Sequence, residues 1–511
     1  MTRAIGIDLG TTYSAVAILR DSGEVEILPN RDGEDITPSV VLFQSNGGVD
    51  EPLIGTMAKH SATGAPDDVV QFVKRQMGDP HWRFTSSSGT SYRAEEVSAL
   101  ILKRLKEDAE LALGEPVTDA VITVPAYFDD ARRTATKHAG AIAGLNVLRV
   151  LNEPTAAALS FGVDTSAQGV VFVYDLGGGT FDVTLMRITG DGFDVLATDG
   201  DRMLGGFDFD NKLVEFIADR IVEQGGPADL LDDSAQVALL REKAEMAKRS
   251  LTTVATTTVH VSAAGGQYRI PIARADFERL TQDLLNRTKD LSEFVLTEAG
   301  ITWGEVDHIL LVGGSTRMPM VRELVEKLSG KQPDRSIRPD EAVAMGAAIQ
   351  AAMEESSAGG SDLAVFDGHA PLVEDVTSQG LGVIQVDGDS GRDVNTVVIA
   401  RNAKIPAKAH ADGFTVVDSQ TSIKVQVTQG DDTNPEYVVE IGSKDIPIPA
   451  YPKGAPVRVA YAYDIDQTVF VEVTDLTTNQ SLGTFEVDRL ANLTDDQVRA
   501  AAARTSSLSV Q

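Results

Sequence analysis

Apolar positions follow two regimes along the chain. From about residue 3 to residue 353, short apolar runs alternate with stretches of helical period; beyond Gly382 the alternation is residue by residue. In the first regime the runs predict strands at Ile5–Asp8, Ala15–Leu19, Val25–Leu28, Ser39–Phe43, Ala120–Val124, Val147–Leu151, Gly169–Tyr174 and His308–Val312. Between them the spacing predicts helices. The clearest is Glu95–Leu113, where Val97, Ile101, Leu105, Ala109 and Ala112 share a face and Gly114 ends it. Others are expected over Asp130–Ala143, Glu153–Gly162, Asp210–Gln224, Asp232–Leu251 and Arg274–Ala299, and in the Ala-rich stretch from Pro339 to Met353. Strands and helices alternating at this length specify an α/β lobe with a mostly parallel sheet, and the plan repeats from Gly169.

Glu354–Asp362 has the composition of a linker. The runs Thr396–Ile399, Ser422–Val427, Tyr437–Ile441, Val457–Tyr463 and Val469–Val473 then predict an antiparallel β-sandwich. One short helix is expected at Thr494–Arg504, with Thr505–Gln511 frayed. The expected division is an α/β domain over 1–355, a linker over 356–380, a sandwich over 381–490 and a short helix and tail over 491–511.

Two segments carry the chemistry. Asp175–Asp182 reads DLGGGTFD between two strands, and Ile5–Ser14 reads IGIDLGTTYS. Three consecutive glycines cost backbone entropy, which a close approach of bare N–H groups to phosphate would justify. Asp175 and Asp182 suit a divalent cation held through water. Alone, either segment is equally an ordinary Gly-rich hairpin. Two of them, one per half, imply a duplicated domain with a nucleotide clamped between its lobes. Gly313-Gly314-Ser315-Thr316-Arg317 after a strand is a weaker nucleotide contact. Lys74 and Arg75, and the trio Glu245, Lys248 and Arg249 at helical spacing, read on their own as solvated charge.

Composition narrows this further. The 511 residues carry a net charge of −31, spread over both halves, which disfavours nucleic acid and anionic membranes as partners. Cysteine is absent, so disulfides, thiolate metal sites and cysteine nucleophiles are excluded. With no leader-like start and no membrane-length apolar run, a cytoplasmic protein is expected.

In this order, GIDLGTTYS, VPAYFDDARRTATKHAGAIAGL, NEPTAAALSFG, DLGGGTFD, EKAEMAKRSL, LVGGSTR and RPDEAVAMGAAIQAA are similar to the seventy-kilodalton heat-shock chaperone family of the DnaK type. The resemblance implies a two-lobed actin-like ATPase, a linker, and a β-sandwich that binds extended polypeptide, with ATP or ADP and magnesium as cofactors. By matching position, Asp8, Glu153 and Asp175 would hold hydrated magnesium, with Asp182 nearby. Gly10, Thr11, Thr12, Tyr13, Gly177, Gly178, Gly179 and Thr180 would cradle phosphates, and Lys74 would orient the attacking water. The resemblance assigns Gly205, Gly206, Glu245, Lys248, Arg249, Thr252, Gly313, Gly314, Ser315, Arg317 and Asp340 to the nucleotide as well. Within that set, Glu245 and Lys248 would meet the ribose, and Arg249 and Arg317 the adenine. Pro125, Arg133 and Arg149 would relay the nucleotide state to the linker and to J-domain helpers. Unfolded polypeptide and a nucleotide exchange factor are the other implied partners. Val416, Ile423 and Val425 would line the peptide pocket, though every sandwich strand also sends alternate apolar residues into its core.

The chain departs from the family in three places. Its linker reads Pro371-Leu372-Val373-Glu374-Asp375 where the family has a leucine run closed by aspartate. Glu374 is therefore expected to stay in water or to find a basic partner. If this segment does not dock on the head, Leu363–Phe366 is the other apolar candidate. The large helical lid is missing, and the loop after Trp82 is short. An ATP-driven peptide-binding chaperone is the leading expectation. An ATP-switched module docking one dedicated partner is the rival, and a sugar kinase of the same superfold is disfavoured.

Overall fold

The computed structural model describes residues 3–165, 167–190, 192–359, 371–388, 390–465, 468–487 and 492–511. The predicted lobes are present, each built on a twisted sheet. In the first, the strand order is Asn146–Asn152, Asp119–Val124, Ile5–Asp8, Tyr13–Leu19, Val25–Ile27, with Thr37–Pro38 pairing beside Tyr13. In the second it is His308–Val312, Gly169–Leu176, Phe181–Ile188, Gly192–Asp201, Leu372–Glu374.

Neither sheet is mostly parallel, which corrects the expectation from alternation. Ile5–Asp8 pairs parallel with Asp119–Val124 but antiparallel with Tyr13–Leu19. Gly169–Leu176 pairs parallel with His308–Val312 but antiparallel with Phe181–Ile188. Each lobe thus opens with a hairpin, which reverses direction before any crossover helix intervenes.

The long helix spans Ala94–Leu113, with Gly114 in the left-handed conformation at φ 72° to close it. Arg274–Ala299 is two helices, Arg274–Leu280 and Gln282–Ala299, rather than one. Val49–Ile54 and Thr56–Ser61 add a strand and a helix where none was expected, while Pro319–Ser329 is the helix expected after Gly313–Arg317. The Ala-rich helix is longer than its pattern, Ala342–Gly359, and takes in the first two thirds of the stretch that reads as linker. It crosses Glu153–Thr165 so closely that a Cβ on Gly346 would sit 1.7 Å from the Ala156 carbonyl oxygen.

The described part of the linker is structured. Leu372–Glu374 forms an edge strand on the second lobe, pairing parallel with Gly192–Asp194. Glu374 is exposed there, as expected, whereas the next residue, Asp375, is buried. Leu363–Phe366 lies outside the described residues.

The sandwich packs one sheet in the order Asp393–Ile399, Leu381–Val386, Gln420–Gln429, Val439–Tyr451 against another in the order Ala407–Phe414, Pro456–Tyr463, Val469–Asp475, Gln480–Glu486. Leu381–Val386, Ala407–Phe414 and Gln480–Glu486 escaped the sequence reading. The last helix is Asp495–Ser507, and the tail after it is not frayed. Leu493, Ala501, Leu508 and Val510 join the core cluster of the first lobe, packing with residues such as Leu100, Leu105 and Phe128. A fully buried Leu or Val contributes about 1.5–3 kcal/mol, so this attachment is substantial.

Candidate functional site

The two hairpins meet face to face across a cleft of about 410 Å³. Their sequences fit one another. A Cβ on Gly178 would lie 1.7 Å from Thr12 Oγ1, and one on Gly179 would lie 2.4 Å from Thr11 Cγ2. The glycines of the second lobe therefore leave room for the threonines of the first. Gly10 has its own reason, since a Cβ there would meet the Tyr13 carbonyl oxygen at 1.9 Å.

The carbonyls of the glycine hairpin are all engaged by donors. Gly206 N–H (3.0 Å) and Ser315 Oγ (2.9 Å) donate to Gly177 O, and Phe207 N–H donates to Gly178 O at 2.8 Å. Arg75 donates to Gly179 O through both Nε (2.9 Å) and Nη2 (2.7 Å). In a trans peptide the N–H points opposite to its carbonyl. The N–H groups of Gly178, Gly179 and Thr180 therefore point opposite to those donors, an arrangement that suits an anion cradle.

Below the hairpins lie four buried carboxylates, Asp8, Glu153, Asp175 and Asp182. Lys74 Nζ donates to Glu153, and Thr123 Oγ1 donates to Asp8 at 3.2 Å. Tyr127 N–H donates to Asp182 at 2.9 Å. One lysine does not balance four acids. Asp8 is pushed up to about 7, first by burial and then by Glu153, against the pull of Lys74. Asp182 also reaches about 7, from burial and Glu153. Asp175 rises well above the usual carboxylate range through burial, Glu153, Asp182 and Asp8. The cluster is short of positive charge, and a hydrated divalent cation suits it.

Most of the expected nucleotide residues converge on this cleft: Gly10, Thr11, Thr12, Tyr13, Gly177, Gly178, Thr180, Gly206, Thr252, Gly313, Gly314 and Ser315 all line it. Asp182, Gly179 and Gly205 do not line it but stand one layer behind, with Gly205 backed directly against Gly179. Lys248 donates to Asp210 at 2.8 Å and to Gly206 O at 2.9 Å. Arg249 donates to Tyr13 Oη at 2.6 Å, and Arg317 pairs with Asp340. Burial would raise Glu245, but Lys59 and Arg249 outweigh it and hold the carboxyl below its usual range.

Lys59, Phe72, Asp210 and Arg241 also line the cleft and were missed, because nothing in their spacing sets them apart from surface residues. Arg75 was missed too. Its guanidinium is buried, pairs with Asp208 and lies 4.8 Å over the Phe207 ring, so a first-lobe residue grips the second lobe. Phe72, just before it, has a left-handed backbone at φ 59°, a cost of about 1–2 kcal/mol, and its ring packs on Phe207 at 4.4 Å.

A family model described as Hsp70 protein matches residues 4–508. The chain belongs to the Hsp70 family. It is accordingly an ATPase, and Hsp70 membership carries ATP and ADP binding and ATP-dependent chaperone activity. Among the described residues, no helix is long and apolar enough to cross a membrane.

Of the residues expected to relay between domains in this Hsp70, Arg133 reaches the linker through Asn152. Arg133 donates to Asn152 Oδ1 at 2.5 Å, and Asn152 Nδ2 donates to Asp375 at 2.7 Å. Burial raises the pKa of Asp375, with Arg133 and Arg149 pulling the other way. Arg149 pairs with Glu354 at 3.5 Å, and Pro125 begins the turn that presents Tyr127 N–H to Asp182.

In the sandwich, Val416 is 44% exposed and Ile423 is half-buried on the rim of the core. Val425 is 1% exposed and packs inside, so its side chain belongs to the core rather than to an open pocket. Phe414 and Val417, beside Val416, are exposed and were not anticipated.

Proposed function

We propose that this Hsp70 hydrolyses ATP in the interlobe cleft and uses the nucleotide state to control how its β-sandwich holds extended, unfolded polypeptide. The observation that carries the reading is that adjacent residues serve both ends. Glu153 takes part in the carboxylate cluster, while Asn152 holds the linker through Asp375. A displacement of one moves the other, because they share a peptide bond.

In this reading Thr11, Thr12 and the N–H groups of Gly178, Gly179 and Thr180 bind the phosphates. Asp8, Glu153 and Asp175 orient the hydration shell of magnesium, with Asp182 behind them. Bound there, magnesium would neutralise phosphate charge. Lys74, held by Glu153, positions the attacking water, and positioning with charge neutralisation is most of what phosphoryl transfer needs. Arg249 and Arg317 flank the base as planar cations. Pro125, Arg133 and Arg149 pass the state to Asp375 and to a J-domain helper, and a nucleotide exchange factor completes the cycle. Val416 and Ile423, with Phe414 and Val417, meet the peptide, where main-chain bonding and one apolar pocket suffice.

The test is peptide affinity in ADP and in ATP, the latter in a Lys74→Ala background, together with phosphate release across a panel of unrelated unfolded peptides. Nucleotide-dependent affinity and broad stimulation support the reading. Indifference to every peptide would replace it with a module that docks one dedicated partner.

A further inference from the structure

The sandwich is attached to the head at two places of unequal strength. On the second lobe, the linker contributes a three-residue strand whose Leu372 is 63% exposed. Beside it a sandwich turn reaches the same sheet: Lys404 pairs with Asp194, Arg401 pairs with Asp199 at 3.3 Å, and Asn402 accepts from Thr198 N–H at 3.1 Å.

On the first lobe, residues 492–511 are attached by several independent means. Leu493, Ala501, Leu508 and Val510, none more than 9% exposed, are part of that lobe's own core. Lys103 Nζ donates to Thr505 O (3.1 Å) and Leu508 O (2.7 Å), capping the carbonyl end of the helix. Arg504 pairs with the buried Glu96 and lies 5.8 Å over Tyr92. Gln511 N–H donates to Pro52 O (3.1 Å) and Ile54 N–H donates to Gln511 O (2.8 Å), a parallel pairing that extends the edge of Val49–Ile54. Asn492 Nδ2 donates to Ala131 O at 2.8 Å.

We infer that residues 492–511 are a fixed anchor on the first lobe, so that the sandwich pivots on the head instead of leaving it when the linker strand lets go. The attachment on the second lobe begins with an exposed three-residue strand and polar contacts, with Asp375 and Val376 buried behind it, and it is the one a change in lobe angle would strain. The attachment on the first lobe is apolar and buried, and one element follows the other in sequence, so the local concentration is high.

The chain has no cysteine, so Ser45→Cys and Ser506→Cys, both at exposed positions, give a unique pair for spin labels. Pulsed electron–electron resonance should return the same narrow distance in ADP and, on a Lys74→Ala background, in ATP. A longer or broader distribution in ADP would overturn the inference, since the anchor would then be leaving. Leu508→Asp with Val510→Asp should broaden the ADP distribution and speed dissociation of a fluorescent ADP several-fold. An unchanged distance in that variant would show that apolar burial is not what holds the segment. Lys103→Ala, milder and safer for folding, should move both readouts in the same direction by less. The distances report the position of the segment whether or not peptide affinity follows the nucleotide, so failure here and failure of the chaperone reading are separable.

Discussion

The hairpin of the first lobe meets the cleft with side chains, the hydroxyls of Thr11 and Thr12. That of the second meets it with bare backbone. Each depends on the other, since the methyl groups missing at Gly178 and Gly179 are where the threonines lie. Duplication supplied two similar strand–turn–strand units, and packing them against one another forced them apart in composition. The first lobe also supplies Lys74 to the acid cluster and Arg75 to the back of the opposite hairpin. The second lobe supplies the dipoles. A binding site made this way exists only when the lobes are closed.

The largest expected effect separates chemistry from clamping. Lys74→Ala should lower single-turnover hydrolysis by about 10²–10³-fold, on the scale of losing one positioned electrostatic contact. ATP affinity, held by the hairpins, should change little. Normal turnover in that variant would take Lys74 out of the reaction.

Next comes the fit of the hairpins. Gly178→Ala should weaken ATP binding by about 10–100-fold, the cost of overpacking a tight contact. Combined with Thr12→Ala it should lose clearly less than the two single losses added, because the same space is involved. Strict additivity in a fluorescent-nucleotide titration would mean that the glycine serves the phosphate alone.

A smaller effect follows from the charge imbalance. A carboxyl whose folded pKa is raised penalises the fold when ionised. That penalty is fully present above about pH 7 for Asp8 and Asp182 and is relieved as pH falls toward the unfolded value of 3.8. Magnesium offsets it only where the carboxylates are charged. Thermal stabilisation by magnesium-ADP over ADP alone should therefore be greater at about pH 8 than at about pH 6, by about 1.4 kcal/mol per carboxyl. Equal stabilisation at both pH values would place the cation elsewhere.

The smallest effect concerns the linker strand. Glu374 is exposed on an edge strand, where exchange for an apolar residue changes stability by under about 1 kcal/mol. Glu374→Leu should strengthen the nucleotide effect on peptide affinity by less than about fivefold. A hundredfold gain would mean that the side chain is buried during the cycle.

The order of elements in both lobes was legible because their strands are buried on both faces and carry continuous apolar runs. The direction of those strands was not, since an apolar run looks the same in either orientation. Sandwich strands such as Ala407–Phe414 escaped because the inward positions there are Ala407, Ala409, Ala411 and Gly413 rather than a clear set of large apolar residues. At the site, residues inside a rare motif were visible at once. Arg75, Asp210 and Arg241 were not, because their meaning comes from what faces them across the cleft. The tail reads as frayed for a similar reason: Leu508 and Val510 are two apolar residues among polar ones, and the groove that accepts them is built from residues hundreds of positions earlier.

The crossing of Glu153–Thr165 and Ala342–Gly359 has a mechanical consequence. Where Gly346 lies against the Ala156 backbone, there is no side-chain ridge for one helix to climb over when it rotates on the other. Such a contact behaves as a fulcrum: rotation passes through it without a change of rotamer, and displacement grows with distance from it. An 18-residue helix is about 27 Å long, so a small angle at the glycine becomes a large arc at the far end. That lever arm ends close to where the linker begins.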